Sequence, residues 1–200
     1  MKLTFGEHQI EYKKTPTSDE VIKKINEFLA EGYYFSHYIA DGTEIYEDYE
    51  AYLNTNLGRL KKLEVIAKIE KEFMNDVLIS AEDYLKRAKP ELTVLHQEFI
   101  DGPRSETWTR FEMLLEGTGW LNDMLSVVGG SNERPASWES YVELQASMQA
   151  ELAKLSEAVE KENYVQIGNI LRDGLIPNFF ALETEIGKTI DVSGTRKNLN

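Results

Sequence analysis

The chain predicts an α+β protein: a small strand-rich unit at the N-terminus, followed by an antiparallel bundle of four to five helices. Three observations carry that expectation. Strict apolar/polar alternation is confined to positions before residue 70, and a 3.6-residue apolar period runs from Glu70 nearly to the end. Gly, Pro and Asp-Gly signals separate the segments. The boundaries expected are 1–69 for the first unit, 70–190 for the bundle and 191–200 for a flexible tail.

Leu3 and Phe5 alternate with Lys2 and Thr4, Gly6 turns the chain, and Ile10 and Tyr12 alternate with Glu11 and Lys13, which describes a half-buried hairpin. A helix follows. Thr17 stands three residues before Glu20, the spacing of a capping box, and Pro16 precedes it. Val21, Ile22, Ile25, Phe28 and Leu29 form its apolar stripe, and Gly32 supplies a left-handed stop. Asp41–Gly42 then sits between two β-prone runs, because both residues tolerate positive φ. A three-residue Ala-Asp-Gly loop with a bulge would shift that pairing by one. In a regular strand, Phe35, His37 and Ile39 share one side, and Tyr34, Ser36 and Tyr38 the other.

Residues 47–58 read as a short helix with Tyr49, Tyr52, Leu53 and Leu57 inward. Over 63–69, Leu63, Val65, Ala67 and Ile69 alternate; a helix is also compatible, but β-branched residues favour a strand. Hairpin, helix, hairpin, short helix and strand form the order ββαββ plus a short helix and a strand, which resembles the β-grasp, or ubiquitin-like, fold. The resemblance lies in order and length over the first third of the chain, and implies a docking platform. Modifier chemistry is not implied, since the unit continues into further chain without a free Gly-Gly end.

Phe73, Val77, Ala81, Tyr84, Leu85 and Ala88 open the helical part, and Pro90 either kinks this helix or begins the next. Leu92, Leu95 and Phe99 continue the stripe to Gly102–Pro103. Trp108, Phe111, Leu114, Leu115, Leu121, Met124, Leu125 and Val128 mark the next helix, closed by Gly129–Gly130. GGSNERPAS, 129–137, is a loop with Ser137 at an N-cap position. Tyr141, Leu144, Met148, Leu152 and Leu155 mark a long helix; after a turn near Glu162–Asn163, Ile167, Leu171, Leu175, Phe179 and Leu182 mark the last, with a kink at Pro177. Short connections imply antiparallel neighbours. The stretches YYFSHYIADGTEIYEDYEAYL and ENYVQIGNILRDGLIP resemble conserved bacterial proteins, which implies a bacterial origin and no particular activity.

Composition narrows function. Of 200 residues, 42% are hydrophobic and 10% aromatic, too many for a disordered chain, and none is cysteine. Disulfides, thiolate metal sites and cysteine nucleophiles are thereby excluded. The net charge is −13, and residues 70–200 hold 23 Asp/Glu against 13 Lys/Arg. Such a surface repels phosphate, so nucleic acid and anionic membranes are not expected partners. The N-terminal stretch lacks a signal-peptide core and no apolar run spans a bilayer, so the expectation is cytoplasmic.

No catalytic or cofactor signature survives. His8, His37 and His96 lack the Glu-x-x-His spacing of di-iron bundles, and HExxH is absent. Gly187–Lys188–Thr189 ends like a phosphate loop, but its partner glycine position is Leu182. EF-hand spacing and GxSxG are missing too. No cofactor or metal is expected.

Two features stand out. Tyr33, Tyr34, Tyr38, Tyr46, Tyr49 and Tyr52 crowd one segment, which suits either a partner surface or a buried seam. Gly117 and Gly119 interrupt a helical stripe beside Trp120; each costs about 1 kcal/mol against Ala, implying close packing, a local break or a ligand near the backbone. His96 is the one histidine of the bundle, a candidate general base or a solvated side chain. The leading functional expectation is a non-enzymatic protein-interaction module, an adaptor or chaperone. The alternatives are a small-molecule binder or enzyme with a pocket between the two parts, built on His96, Gly117, Gly119 and Trp120, and a structural homo-oligomer.

Overall fold

The computed structural model describes residues 1–196 and is α+β, in two compact units, Met1–Phe73 and the chain from Met74 onward. In the first, the order is β1 Lys2–Phe5, β2 His8–Glu11, α1 Ser18–Leu29, β3 Tyr33–Ala40, β4 Thr43–Ile45, α2 Tyr49–Asn56 and β5 Lys62–Ile69. The five strands form one sheet ordered β2-β1-β5-β3-β4, with β1 and β5 parallel and the other pairs antiparallel. Residues 63–69 are therefore strand, and β5 is central.

Local chemistry explains these elements. Thr17 accepts from the Glu20 amide at 3.2 Å while the Glu20 carboxylate accepts from the Thr17 amide at 2.9 Å, closing the capping box that starts α1. Asp41 and Gly42 take φ of 47° and 92°, and Ala40 pairs with Thr43, so the hairpin turns on two residues. The Asp41 carboxylate also accepts from the Lys61 and Lys62 amides, which fixes the turn against the start of β5 and lowers the Asp41 pKa. Leu3, Val21, Leu53 and Leu63 are fully buried between the sheet and the two helices. Each such side chain contributes about 1.5–3 kcal/mol.

One expectation about β3 is overturned. Its register against β5 shifts between Phe35 and His37, so Ser36 is an extra residue. Beyond the bulge the faces exchange: Phe35, Tyr38 and Ala40 all oppose the inward residues Ala67, Val65 and Leu63, and His37 opposes Ile66 on the other face. His8 is the first residue of β2.

The helices that follow are α3 Glu70–Asp101, α4 Ser105–Gly130, α5 Trp138–Glu160, α6 Tyr164–Ile170 and α7 Ile176–Ser193, with a π turn at Leu171–Leu175 joining the last two. Pro90 lies within α3 and does not end it. Gly102, at φ 105°, and Pro103 separate α3 from α4. Ser137 precedes α5 without capping it; the Ser137 hydroxyl is the first cause that lowers the Glu185 pKa. At the π turn the Ile176 amide reaches back to the Leu171 carbonyl, five residues away, just before Pro177, which has no amide to donate. The turn also brings Gly174 against Glu151, where a Cβ would approach Oε2 to 2.4 Å. The expected flexible tail, 191–200, includes 197–200, which lie outside the described residues; α7 runs through Ser193.

Beyond α7 the chain is tied to α3. Asn75 donates to the Thr195 carbonyl at 3.0 Å and accepts from the Thr195 amide at 2.8 Å. Glu82, the charged residue buried among the described ones, accepts from both terminal nitrogens of Arg196 at 2.7 and 3.0 Å and from Lys86 at 2.8 Å. Those bonds, Arg196 first, hold its pKa down to about 2. A carboxyl depressed in this way stabilises the fold above its unfolded pKa and loses that contribution as pH falls toward the folded value. Glu82→Gln should therefore lower the unfolding free energy at neutral pH by about 1–3 kcal/mol in chemical denaturation. The deficit should shrink as the wild-type carboxylate protonates between pH 4.5 and about 2; a deficit constant over that range would refute the assignment.

Candidate functional site

The crowded tyrosines do not form one surface. Because of the Ser36 bulge, Tyr38 faces inward at 5% exposure, with ring centroids 4.9 Å from Phe35 and 5.4 Å from Tyr49. Burial pushes the Tyr38 pKa up to about 12. Tyr49 donates its hydroxyl to the Ser36 carbonyl at 3.1 Å, and Tyr52 packs half-buried on the same core. These three are structural. Tyr33 meets the edge of Phe5, and Tyr34 stacks on Phe73 at 4.7 Å. Tyr46 is 58% exposed and donates to Glu44, its ring 4.5 Å from His37. The outward members are thus separated and already engaged.

The second unit offers a more continuous feature. An open groove of about 310 Å³ lies between α3 and α4. Ala88, Leu92, Leu95 and Leu114 make its floor, Tyr84 and Met113 its walls, and Arg87, Glu91 and Arg110 its polar edge. Arg110 is paired with Glu98 at 2.9 Å, and Arg87 donates from Nε to the Asp83 carbonyl. At one end the helices are clamped by Phe99, Trp108 and Phe111, with centroids 5.2–5.8 Å apart in edge-to-face pairs.

Gly117 determines the other end. A Cβ there would stand 1.9 Å from the Tyr84 hydroxyl oxygen and 2.4 Å from Cζ, so the glycine is the seat of the Tyr84 ring. Trp120 meets the same ring edge-on at 5.7 Å. Burial raises the Tyr84 pKa. Close packing is therefore the reason for Gly117, and α4 continues through both glycines without a break. Gly119 has no atom within 4 Å of where a Cβ would lie.

His96 takes no part in the groove. Its Nδ1 lies 3.0 Å from the Gly168 carbonyl, which fixes that nitrogen as the donor. Gly168 in turn has no room for a side chain against the His96 carbonyl and Ile100. The residues Gly117 and Trp120 are thus brought together around Tyr84, and His96 serves the α3–α6 contact. Among the described residues no group of three or more His, Asp or Glu is placed to hold a metal ion, and no helix is long and apolar enough to cross a membrane.

Sequence reasoning missed a row on α4. Met113, Trp120 and Val127 recur every seven residues and are 64%, 42% and 46% exposed, on the side of α4 away from its buried Phe111, Leu114, Leu121 and Leu125. Met113 belongs both to this row and to the groove wall. The available signal was a helix with apolar residues on more than one face.

Residues 76–185, more than half of the chain, match the family described as Domain of unknown function (DUF8042). The match contains all of α4, most of α3 and the groove, and leaves out the five-stranded unit. No curated protein and no solved structure matches the chain.

Two alanine substitutions separate the roles of the glycines. Gly117→Ala should destabilise by about 1–3 kcal/mol in denaturant titration, because Tyr84 must leave its seat. Gly119→Ala should stabilise by about 1 kcal/mol, having only helix propensity to gain. Equal effects would remove the packing explanation.

Proposed function

We propose that this chain, which belongs to the DUF8042 family, is a non-enzymatic protein-interaction module, an adaptor or chaperone-like docking element, and that the α3–α4 face is its docking surface. The observation that carries the reading is the exposed row Met113–Trp120–Val127, whose Met113 end forms a wall of an apolar groove. Three large apolar side chains left uncovered in line along one helix mark a candidate partner surface. Trp anchors binding hot spots, and Met adapts its shape to a partner. The ionisable groups of the groove stand at its edge, and Arg110 is already paired, an arrangement suited to framing an interface.

The same reading takes the first unit as a β-grasp-like platform. Supporting it are the strand order 2-1-5-3-4, the parallel β1–β5 pair and the single long helix after the first hairpin. We read the helices of the second unit as an antiparallel bundle, on the shortness of the connections between α3, α4, α5 and α6. A cysteine-free chain suits a cytoplasmic setting.

Affinity capture from the lysate of the source cells tests the reading. Wild-type protein should retain a stoichiometric partner, and the double variant Met113→Ser/Trp120→Ser, folded by circular dichroism, should lose at least about tenfold of it. Val142→Ser, an exposed apolar change on α5, should have no effect. Identical capture by all three proteins would defeat the proposal.

A further inference from the structure

We infer that the partner of the α4 row is a basic amphipathic helix and not a second copy of this chain; the inference rests on the docking role proposed above. The spacing of the row fits a helix laid along α4. Met113 to Val127 spans 14 residues, about 21 Å at 1.5 Å per residue, enough for four turns of a partner presenting anchors at i, i+3, i+4 and i+7. The open space at Gly119 lets a partner side chain or backbone approach beside Trp120.

Charge selects the partner. Glu112, Glu116 and Asp123 are exposed beside the row, and no ion pair engages them among the described residues. From Phe111 to Gly130, α4 contains no Lys or Arg. At the Met113 end the groove adds Arg87, Glu91 and Arg110, and Arg110 is already occupied by Glu98. The row is therefore apolar with an acidic flank, and a helix carrying Lys or Arg beside its apolar face complements it. Two copies joined through α4 would bring the same three acids into one interface, on chains of net charge −13 each. Like charges at an interface select against that pairing. The same acids repel an anionic membrane.

The probe is a labelled 18-residue amphipathic helix of Leu and Lys, compared with its Leu and Glu counterpart, in fluorescence anisotropy at physiological salt. The Leu/Lys peptide should bind at least about tenfold more tightly. Trp120→Ser should weaken it by roughly tenfold, and Glu112→Lys/Glu116→Lys/Asp123→Lys should reverse the preference between the two peptides. Glu143→Lys/Glu157→Lys/Glu160→Lys, three reversals of exposed acids on α5, should change binding by less than about threefold, as remote charges are screened. Equal loss from both sets would reduce the effect to the overall charge of the protein and overturn the inference. So would indifference to Trp120→Ser, or failure of both peptides to bind. A dimer in sedimentation velocity that Trp120→Ser dissolves would assign the row to a second copy. If a lysate partner depends on Trp120 while the Leu/Lys peptide does not bind, the docking role stands and this inference falls.

Discussion

Tyr84 can lie across α4 only because position 117 has no side chain, and the face of the helical unit follows from that one fit. The Tyr84 ring from α3 takes the place a Cβ would occupy on α4. At the far end, Phe99, Trp108 and Phe111 interlock edge-to-face. Between these two contacts the helices leave the groove floored by Leu92, Leu95 and Leu114. Helix propensity opposes a glycine in this position by about 1 kcal/mol. The aromatic contact it permits offsets that cost.

Phe111, Leu114, Leu121 and Leu125 turn into the unit, and Met113, Trp120 and Val127, about a third of a turn round the helix, are exposed. Trp120 keeps one edge against Tyr84, yet the exposed parts of a tryptophan and a methionine on the surface cost solubility. A covering partner would remove that cost, which is why the row supports a docking role. The first unit tells a different story. There the Ser36 bulge turns Tyr38 into the core and leaves Tyr49 to satisfy the Ser36 carbonyl, so aromatic crowding serves packing.

Much of the first unit was legible from local chemistry. The Thr17–Glu20 capping box, the Asp41–Gly42 turn and the β-branched run that becomes β5 each depend on a few adjacent residues. Features decided by distant contacts were not legible. One extra residue at Ser36 inverts the faces of half a strand, and nothing in its neighbours announces it. Ser137 has the identity of a cap and the position of one, yet makes no side-chain cap bond to α5. Glu82 and Arg196 are 114 residues apart, and their pairing depends on how the chain returns to α3. At the candidate site, Gly117 and Trp120 were conspicuous because glycines inside a helical stripe require a reason. Tyr84 was not, since in sequence it is one more member of a stripe. The outward row was hidden because α4 is apolar on two faces, and periodicity alone does not say which is buried.

The central claim is that α4 presents a surface made to be covered by another protein. Site-specific photo-crosslinking in living cells tests it most directly, with a photoreactive phenylalanine analogue placed at position 120 or, as a reference, at exposed position 142. The account predicts a discrete adduct of defined mass from position 120 and none from position 142. A diffuse ladder common to both positions, or no adduct from position 120, would contradict it.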